Sequence, residues 1–294
     1  MNQLRGTGAA IVTPFNKKKE VDFDRLSILI DFIIGDGVDY IVTLGTTGET
    51  PVLSKEEKID IIQHTIRHIN KRVPVVVGMG GNDTASLIKE MLSYPLDEAT
   101  AILSVCPYYS KPSQEGIYQH YKLVAEASPK PLILYNVPSR AGRNMSAETT
   151  IKLAEASDKI IGIKEASGDM IQCMEILKNR PKDFLVISGD DALALPQIAC
   201  GMDGVISVAA NAFPKKFSSL VNYSIANDFV NARRINDLLI PAYQYMFEEN
   251  NPAGIKTFLY ELGLIENEVR LPIVPLSEHI HGKIKSYLKS NFPG

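Results

Sequence analysis

One lysine stands where a lysine is costly. Lys164 closes the apolar run "KIIGIK" (159–164), whose Ile160, Ile161 and Ile163 suit a strand covered on both faces. An ammonium is among the most expensive groups to bury without a partner, so the position favours a neutral amine, a nucleophile for a carbonyl carbon. The run "PLILYN" (131–136) carries Tyr135 near its end. A phenol there can move protons while an imine forms and breaks, provided hydroxyl partners orient it. Thr47 and a tyrosine of "PYY" (107–109) are partners of the right kind, and Arg140, just beyond Tyr135, has the planar fork that holds a carboxylate. Each residue also has a plainer reading: Lys164 snorkelling to solvent, the tyrosines packing in the core, Arg140 in a surface ion pair. With Tyr135 on the neighbouring run, the nucleophile reading of Lys164 is favoured.

Other candidate centres are weaker. His64 and His68 have the spacing of a helical metal pair, but Thr65 stands where H-E-x-x-H needs glutamate, which leaves a helix surface. Asp190 and Asp191 could hold a metal, though capping the next helix suits them better. There is no Walker loop and no G-x-S-x-G elbow, so neither a metal nor an organic cofactor is inferred.

The elements that must position these residues are short β-rich runs at 8–13, 39–44, 73–78, 100–105, 131–136, 159–164, 184–188 and 203–208. Between them lie helical periodicities, as at 54–71, where Ile59, Ile62, Ile66 and Ile69 recur behind Ser54, an N-cap with Glu57 three residues on. Such strand–helix units, each roughly thirty residues long, predict parallel strands closing into an α/β (β/α)₈ TIM barrel. A doubly wound sheet is the alternative, but "GMGGND" (78–83) puts Asp83 where the dinucleotide fingerprint needs its third glycine. In a barrel the chemistry gathers at the C-terminal ends of the strands. "GTTGET" (45–50), "CPYYSKP" (106–112), "YNVPSRAG" (135–142), Lys164, "SGDD" (188–191) and Ser207 all fall there. Strand alternation puts Ile161 and Ile163 on the helix side and Lys164, Gly162 and Ile160 on the other, with Gly162 leaving room for the lysine stem. The catalytic barrel is expected over 1–226. A C-terminal helical region, 227–294, broken by Pro241, Pro252, Pro272 and Pro275, is expected to pack on it.

Composition narrows the class. The 294 residues are 45% hydrophobic and 22% charged, enough apolar material for one large barrel. A net charge of -3 and the short cluster Lys17–Lys19 give no reason to expect nucleic acid as a partner. No signal peptide or membrane-spanning run is apparent, and three cysteines, Cys106, Cys173 and Cys200, without C-x-x-C spacing suggest reduced thiols of a cytoplasmic protein.

Taken together, "GTTGE", "PYY", "YNVPSR", "GIKEASG" and "SGDD" resemble, in order and spacing, the 4-hydroxy-tetrahydrodipicolinate (dihydrodipicolinate) synthase family of pyruvate-dependent class I aldolase-type lyases. The resemblance covers nearly the whole chain. Tyr108–Tyr109 and Arg140 separate it from the N-acetylneuraminate lyases and 2-keto-3-deoxy sugar acid aldolases of the wider superfamily. It implies that Lys164 forms a Schiff base with pyruvate and that the resulting enamine attacks aspartate 4-semialdehyde. This is the first committed step of the diaminopimelate route to lysine. It further implies a proton relay of Tyr135, Thr47 and Tyr109, with Tyr109 supplied by the partner subunit of a tight dimer. Arg140 is expected on the semialdehyde carboxylate, Thr46 and Thr47 on the pyruvate carboxylate, and the backbones of Gly189 and Ile206 along the pocket. A homotetramer built as a dimer of dimers is the implied assembly. Many members are inhibited by lysine at the dimer interface. Here Tyr108 and Asn82 match that pocket, but Ser86 takes the place of its glutamate and Lys55 and Lys58 that of its histidine, which predicts insensitivity to lysine. The competing readings are a sugar-acid aldolase and a catalytically silent metabolite-binding barrel.

Overall fold

The computed structural model describes residues 2–292. Among them, eight parallel strands pair in sequence order around a closed barrel. They are β1 (Gly6–Ala10), β2 (Tyr40–Thr43), β3 (Val75–Gly78), β4 (Ala101–Val105), β5 (Leu132–Asn136), β6 (Ile160–Glu165), β7 (Leu185–Ser188) and β8 (Gly204–Ser207). The α-helices are α1 (Phe23–Gly35), α2 (Lys55–Ile69), α3 (Thr84–Ser93), α4 (Gln114–Ala127), α5 (Pro138–Ala141), α6 (Ala147–Ala156), α7 (Met170–Asn179), α8 (Ala194–Ala199), α9 (Pro214–Ile225), α10 (Phe229–Phe247), α11 (Ala253–Glu261) and α12 (Glu278–Asn291).

The strands form where the apolar runs predict them because each is buried on both faces. Alternation divides their side chains into two cores. Tyr40, Val42, Val76, Leu103, Ile133 and Leu185 fill the barrel. Ile41, Val77, Ile102, Leu134 and Val186 join the larger core between barrel and helices. Helix α2 starts as its residues dictate: Glu57 N donates to Ser54 Oγ at 3.2 Å and Ser54 N donates back to Glu57 Oε2 at 2.9 Å. The C-cap is Asn70 in the left-handed region. Buried side chains of α10, α11 and α12, among them Leu239, Phe258 and Ile284, belong to the same outer core as the barrel helices.

Three details differ from the expectation. Strand β1 covers 6–10 rather than 8–13, because Asn211, just past β8, takes over the ladder: its Nδ2 donates to Ala10 O at 2.8 Å and its Oδ1 accepts from Val12 N at 3.1 Å. The β5–β6 register shifts so that Leu132 faces Ile160 but Ile133 faces Gly162. This bulge turns Ile161 into the barrel while Ile160 joins Ile163 in the outer core, so Ile161 and Ile163 do not share a face. Pro241 lies inside α10 and does not break it. The buried Leu239, Ala242, Tyr243 and Met246 hold both sides of it against the molecule, which outweighs one lost backbone bond. Pro252 and Pro272 do mark boundaries, at the start of α11 and in the connection to α12 respectively, and Pro275 lies in that connection too.

Candidate active site

Lys164 and Tyr135 occupy directly opposed positions on β6 and β5, at the C-terminal end of the barrel. Both are buried, Lys164 to 6% exposure. The lysine Nζ lies 4.5 Å from the centroid of the Tyr135 ring, and among the described residues no carboxylate forms an ion pair with it. Room for its stem comes from Gly189, immediately after β7. A Cβ on Gly189 would stand 3.0 Å from Lys164 Cε and 2.6 Å from Ala166 Cβ. Gly162, expected to make that space, instead permits the close approach of β7, since a Cβ there would lie 2.7 Å from both Leu185 Cβ and Leu185 O.

Thr46 and Thr47 lie on a single 3₁₀ turn, Thr46–Gly48, beyond β2. Leu44 and Glu49, on either side of it, both have φ of 55°, a conformation unfavourable to side chains with a Cβ. The surroundings hold it in place. Thr50 Oγ1 donates to Leu44 O at 2.6 Å, Thr13 Oγ1 donates to Gly48 O at 2.7 Å, and Arg270 N donates to Glu49 Oε2 at 3.0 Å. Beneath it is a buried ion pair, Lys256 Nζ to Glu49 Oε1 at 2.5 Å. Burial pushes the Lys256 ammonium down to about 8 against the opposing pull of Glu49, and its Nζ also lies 4.1 Å over the Phe15 ring. Asn251 Nδ2 donates to Thr47 Oγ1 at 3.2 Å, occupying an acceptor position and leaving the hydroxyl hydrogen to point elsewhere.

The other predicted residues divide into two groups. Ile206 on β8 is buried in the inner core with Tyr135. Gly189 N is used by the barrel, donating to Glu165 O at 2.8 Å. Arg140 is exposed on α5, and among the described residues no acidic group pairs with it, so the surface ion-pair reading fails. Tyr109 is 89% exposed and has φ of 69°. Among the described residues no hydrogen bond joins it to Tyr135 or Thr47, nor Tyr135 to Thr47.

Asp190 accepts from Ala192 N and Leu193 N in the turn ahead of α8, but the cap of that helix is Leu193 and no side chain bonds its end, so Asp190 shapes the turn rather than capping the helix. Asp191 does something else: its Oδ2 accepts from Val208 N and Ala209 N, tying the end of β7 to the turn after β8. Burial pushes its carboxyl up to about 6. His64 and His68 face α1, meeting Ser27 and Asp31 at 2.8 and 3.0 Å. Asn251, Lys256 and Asn211 were not singled out in the sequence. Lys256 carried a readable signal, a lysine inside the apolar stretch Ile255–Leu259, the same anomaly that marks Lys164.

The chain matches the dihydrodipicolinate synthetase family over residues 3–291. The chain belongs to this family. It is 49% identical over 285 residues to the 4-hydroxy-tetrahydrodipicolinate synthase of Cytophaga hutchinsonii, covering 97% of this chain and 96% of that one. A dihydrodipicolinate synthase from Acinetobacter baumannii, solved in complex with pyruvate, superposes with a TM-score of 0.95 at 41% identity, covering 98% of this chain and 99% of that one. A second solved relative, described as the first monomeric dihydrodipicolinate synthase variant, also gives 0.95, at 36% identity and with coverage of 98% and 97%. The family's barrel is thus the scaffold on which Lys164 and Tyr135 meet.

Proposed function

We propose that the protein is a 4-hydroxy-tetrahydrodipicolinate synthase, a lyase that condenses pyruvate with aspartate 4-semialdehyde in the diaminopimelate route to lysine. The observation that carries this is Lys164 Nζ, 4.5 Å from the Tyr135 ring at the C-terminal ends of paired strands, with no acidic partner among the described residues. Lys164 Nζ adds to the pyruvate carbonyl carbon and loss of water leaves an imine. Removal of a methyl proton gives the enamine, whose carbon attacks the aldehyde carbon while the aldehyde oxygen takes a proton. The amino group of the condensed product then attacks the imine carbon and displaces the Lys164 amine, closing the ring. Tyr135, with Thr47 and a Tyr109 from a second subunit, moves the protons. Thr46 and Thr47 receive the pyruvate carboxylate, Arg140 receives that of the semialdehyde, and the backbones of Gly189 and Ile206 border the pocket. The scheme draws on the lysine amine and proton carriers alone.

A Tyr109 that leaves its own chain's surface requires at least a dimer, and we assign a tetramer built as a dimer of dimers. No helix among the described residues is long and apolar enough to cross a membrane, and we place the enzyme in the cytoplasm. The decisive assay compares pyruvate consumption with aspartate semialdehyde against cleavage of 2-keto-3-deoxy sugar acids. Turnover of the sugar acids alone would favour the aldolase reading.

Lysine is expected not to inhibit. Lys58 is paired with Glu90 at 3.2 Å, and Asp83 holds the Ser86 hydroxyl and the Ala85 N–H. Glu49 is committed to Lys256 and Arg270, so it is not free to replace the missing pocket carboxylate. Losing that carboxylate costs a ligand ammonium about one to two decades of affinity. Initial rates at saturating substrates should stay flat as L-lysine is raised, and partial inhibition at physiological lysine would refute the assignment.

A further inference from the structure

Behind the reacting pair lies a second polar layer. One step beyond Tyr135 and Lys164, Asn136 and Glu165 are again directly opposed. Successive strand residues point to opposite faces, so this pair looks away from the barrel, and both side chains are fully buried. The two oxygens of Glu165 accept three N–H groups: Ser167 N at 2.6 Å on Oε1, and Asn136 Nδ2 at 2.9 Å and Gln172 Nε2 at 3.0 Å on Oε2. Among the described residues no cation pairs with it. Every group that it meets is a donor, so a neutral amide at this position would set an N–H₂ against another donor whichever way it turned.

The same cluster reaches the chain that returns from α5. Asn136 Oδ1 accepts from Met145 N at 3.0 Å and Asn136 Nδ2 donates to Asn144 Oδ1 at 2.8 Å. Asn144 Nδ2 donates to Gln172 Oε1 at 2.7 Å, and Gln172 Nε2 lies 3.2 Å from Met145 O. The segment carrying Arg140 is therefore tied at both ends, at Asn136 where it leaves β5 and at Asn144–Met145 where it enters α6. Both ties converge on the carboxylate that follows Lys164. Among the described residues no side chain pairs with Arg140, so ties of this kind on its segment set where its backbone stands and hence what its guanidinium can reach.

We propose that Glu165 and Asn144 are positioning residues that hold the Arg140 turn in register with the Lys164 imine, so that the second substrate's carboxylate is received beside the enamine. The inference rests on the reaction proposed above. Asn144 is exposed although its amide is engaged, so Asn144→Ala keeps the fold. Its reduced pyruvate adduct and KM for pyruvate should match the wild type, while kcat/KM for the semialdehyde falls about tenfold. The double variant Arg140→Ala/Asn144→Ala should lose no more than Arg140→Ala alone, because Asn144 acts through the arginine. Glu165→Gln should move the semialdehyde parameters in the same direction and further. Equal damage to both substrates, or losses that multiply in the double variant, would overturn the inference. A wild type that forms the pyruvate adduct but leaves the semialdehyde untouched would instead overturn the reaction itself, and the inference with it.

Discussion

Lys164→Ala abolishes the covalent pyruvate adduct and lowers turnover more than a thousandfold, since the covalent path has no substitute for the amine. Treatment of the wild type with pyruvate and borohydride should leave one reduced adduct, on the peptide containing Lys164. The variant should fold, because alanine at that position removes a buried amine that has no ion-pair partner among the described residues, and the lost contacts with the Tyr135 ring and of the stem beside Gly189 are offset in part by the removal of a costly buried polar group. Lys256 provides the internal control. It is also buried, and desolvation lowers its pKa to about 8, which by itself would make it a candidate nucleophile. Its Nζ, however, is engaged by Glu49 and by Glu268 O at 2.9 Å and lies over the Phe15 ring. An adduct on Lys256, or on any lysine other than Lys164, would end the mechanism. A low pKa is not sufficient for the role; the amine must also be uncommitted to an acid and stand beside a proton carrier.

Tyr109→Phe should slow turnover about a hundredfold through the loss of one relay hydroxyl, with Tyr135 undisturbed. Its own chain gives Tyr109 little to do. The side chain is 89% exposed on a backbone of positive φ, a conformation that needs a reason in a residue with a Cβ. In the proposed dimer, insertion into a partner subunit's site would supply that reason. Tyr109→Phe mixed with Lys164→Ala should therefore recover activity, because a hybrid dimer contains one site with both its own Lys164 and the partner's Tyr109. Random exchange of equal amounts restores about a quarter of the sites. If subunit exchange is verified by mass and activity stays at the level of the separate variants, Tyr109 serves its own subunit or no site at all.

Much of the molecule was legible in the sequence because its causes are local. A parallel strand covered on both faces must be a short, nearly unbroken apolar run, and eight such runs separated by helical periodicities leave few folds besides a barrel. The Ser54–Glu57 capping box lies within four consecutive residues, and α2 starts on it where they stand. Lys164 was visible for the same kind of reason: the desolvation cost of an amine in an apolar run does not depend on the rest of the chain. What tertiary structure alone decided is what depends on partners distant in sequence. Asn211 ends β1, 201 residues away from the carbonyl it binds. Asn251 reaches Thr47 across 204 residues. The β6 bulge reverses the facing of Ile161, because strand parity holds only while the register with β5 does. Gly189 rather than Gly162 makes room for the lysine, because which glycine faces which stem follows from the stagger between neighbouring strands, a property of barrel closure that no single strand carries.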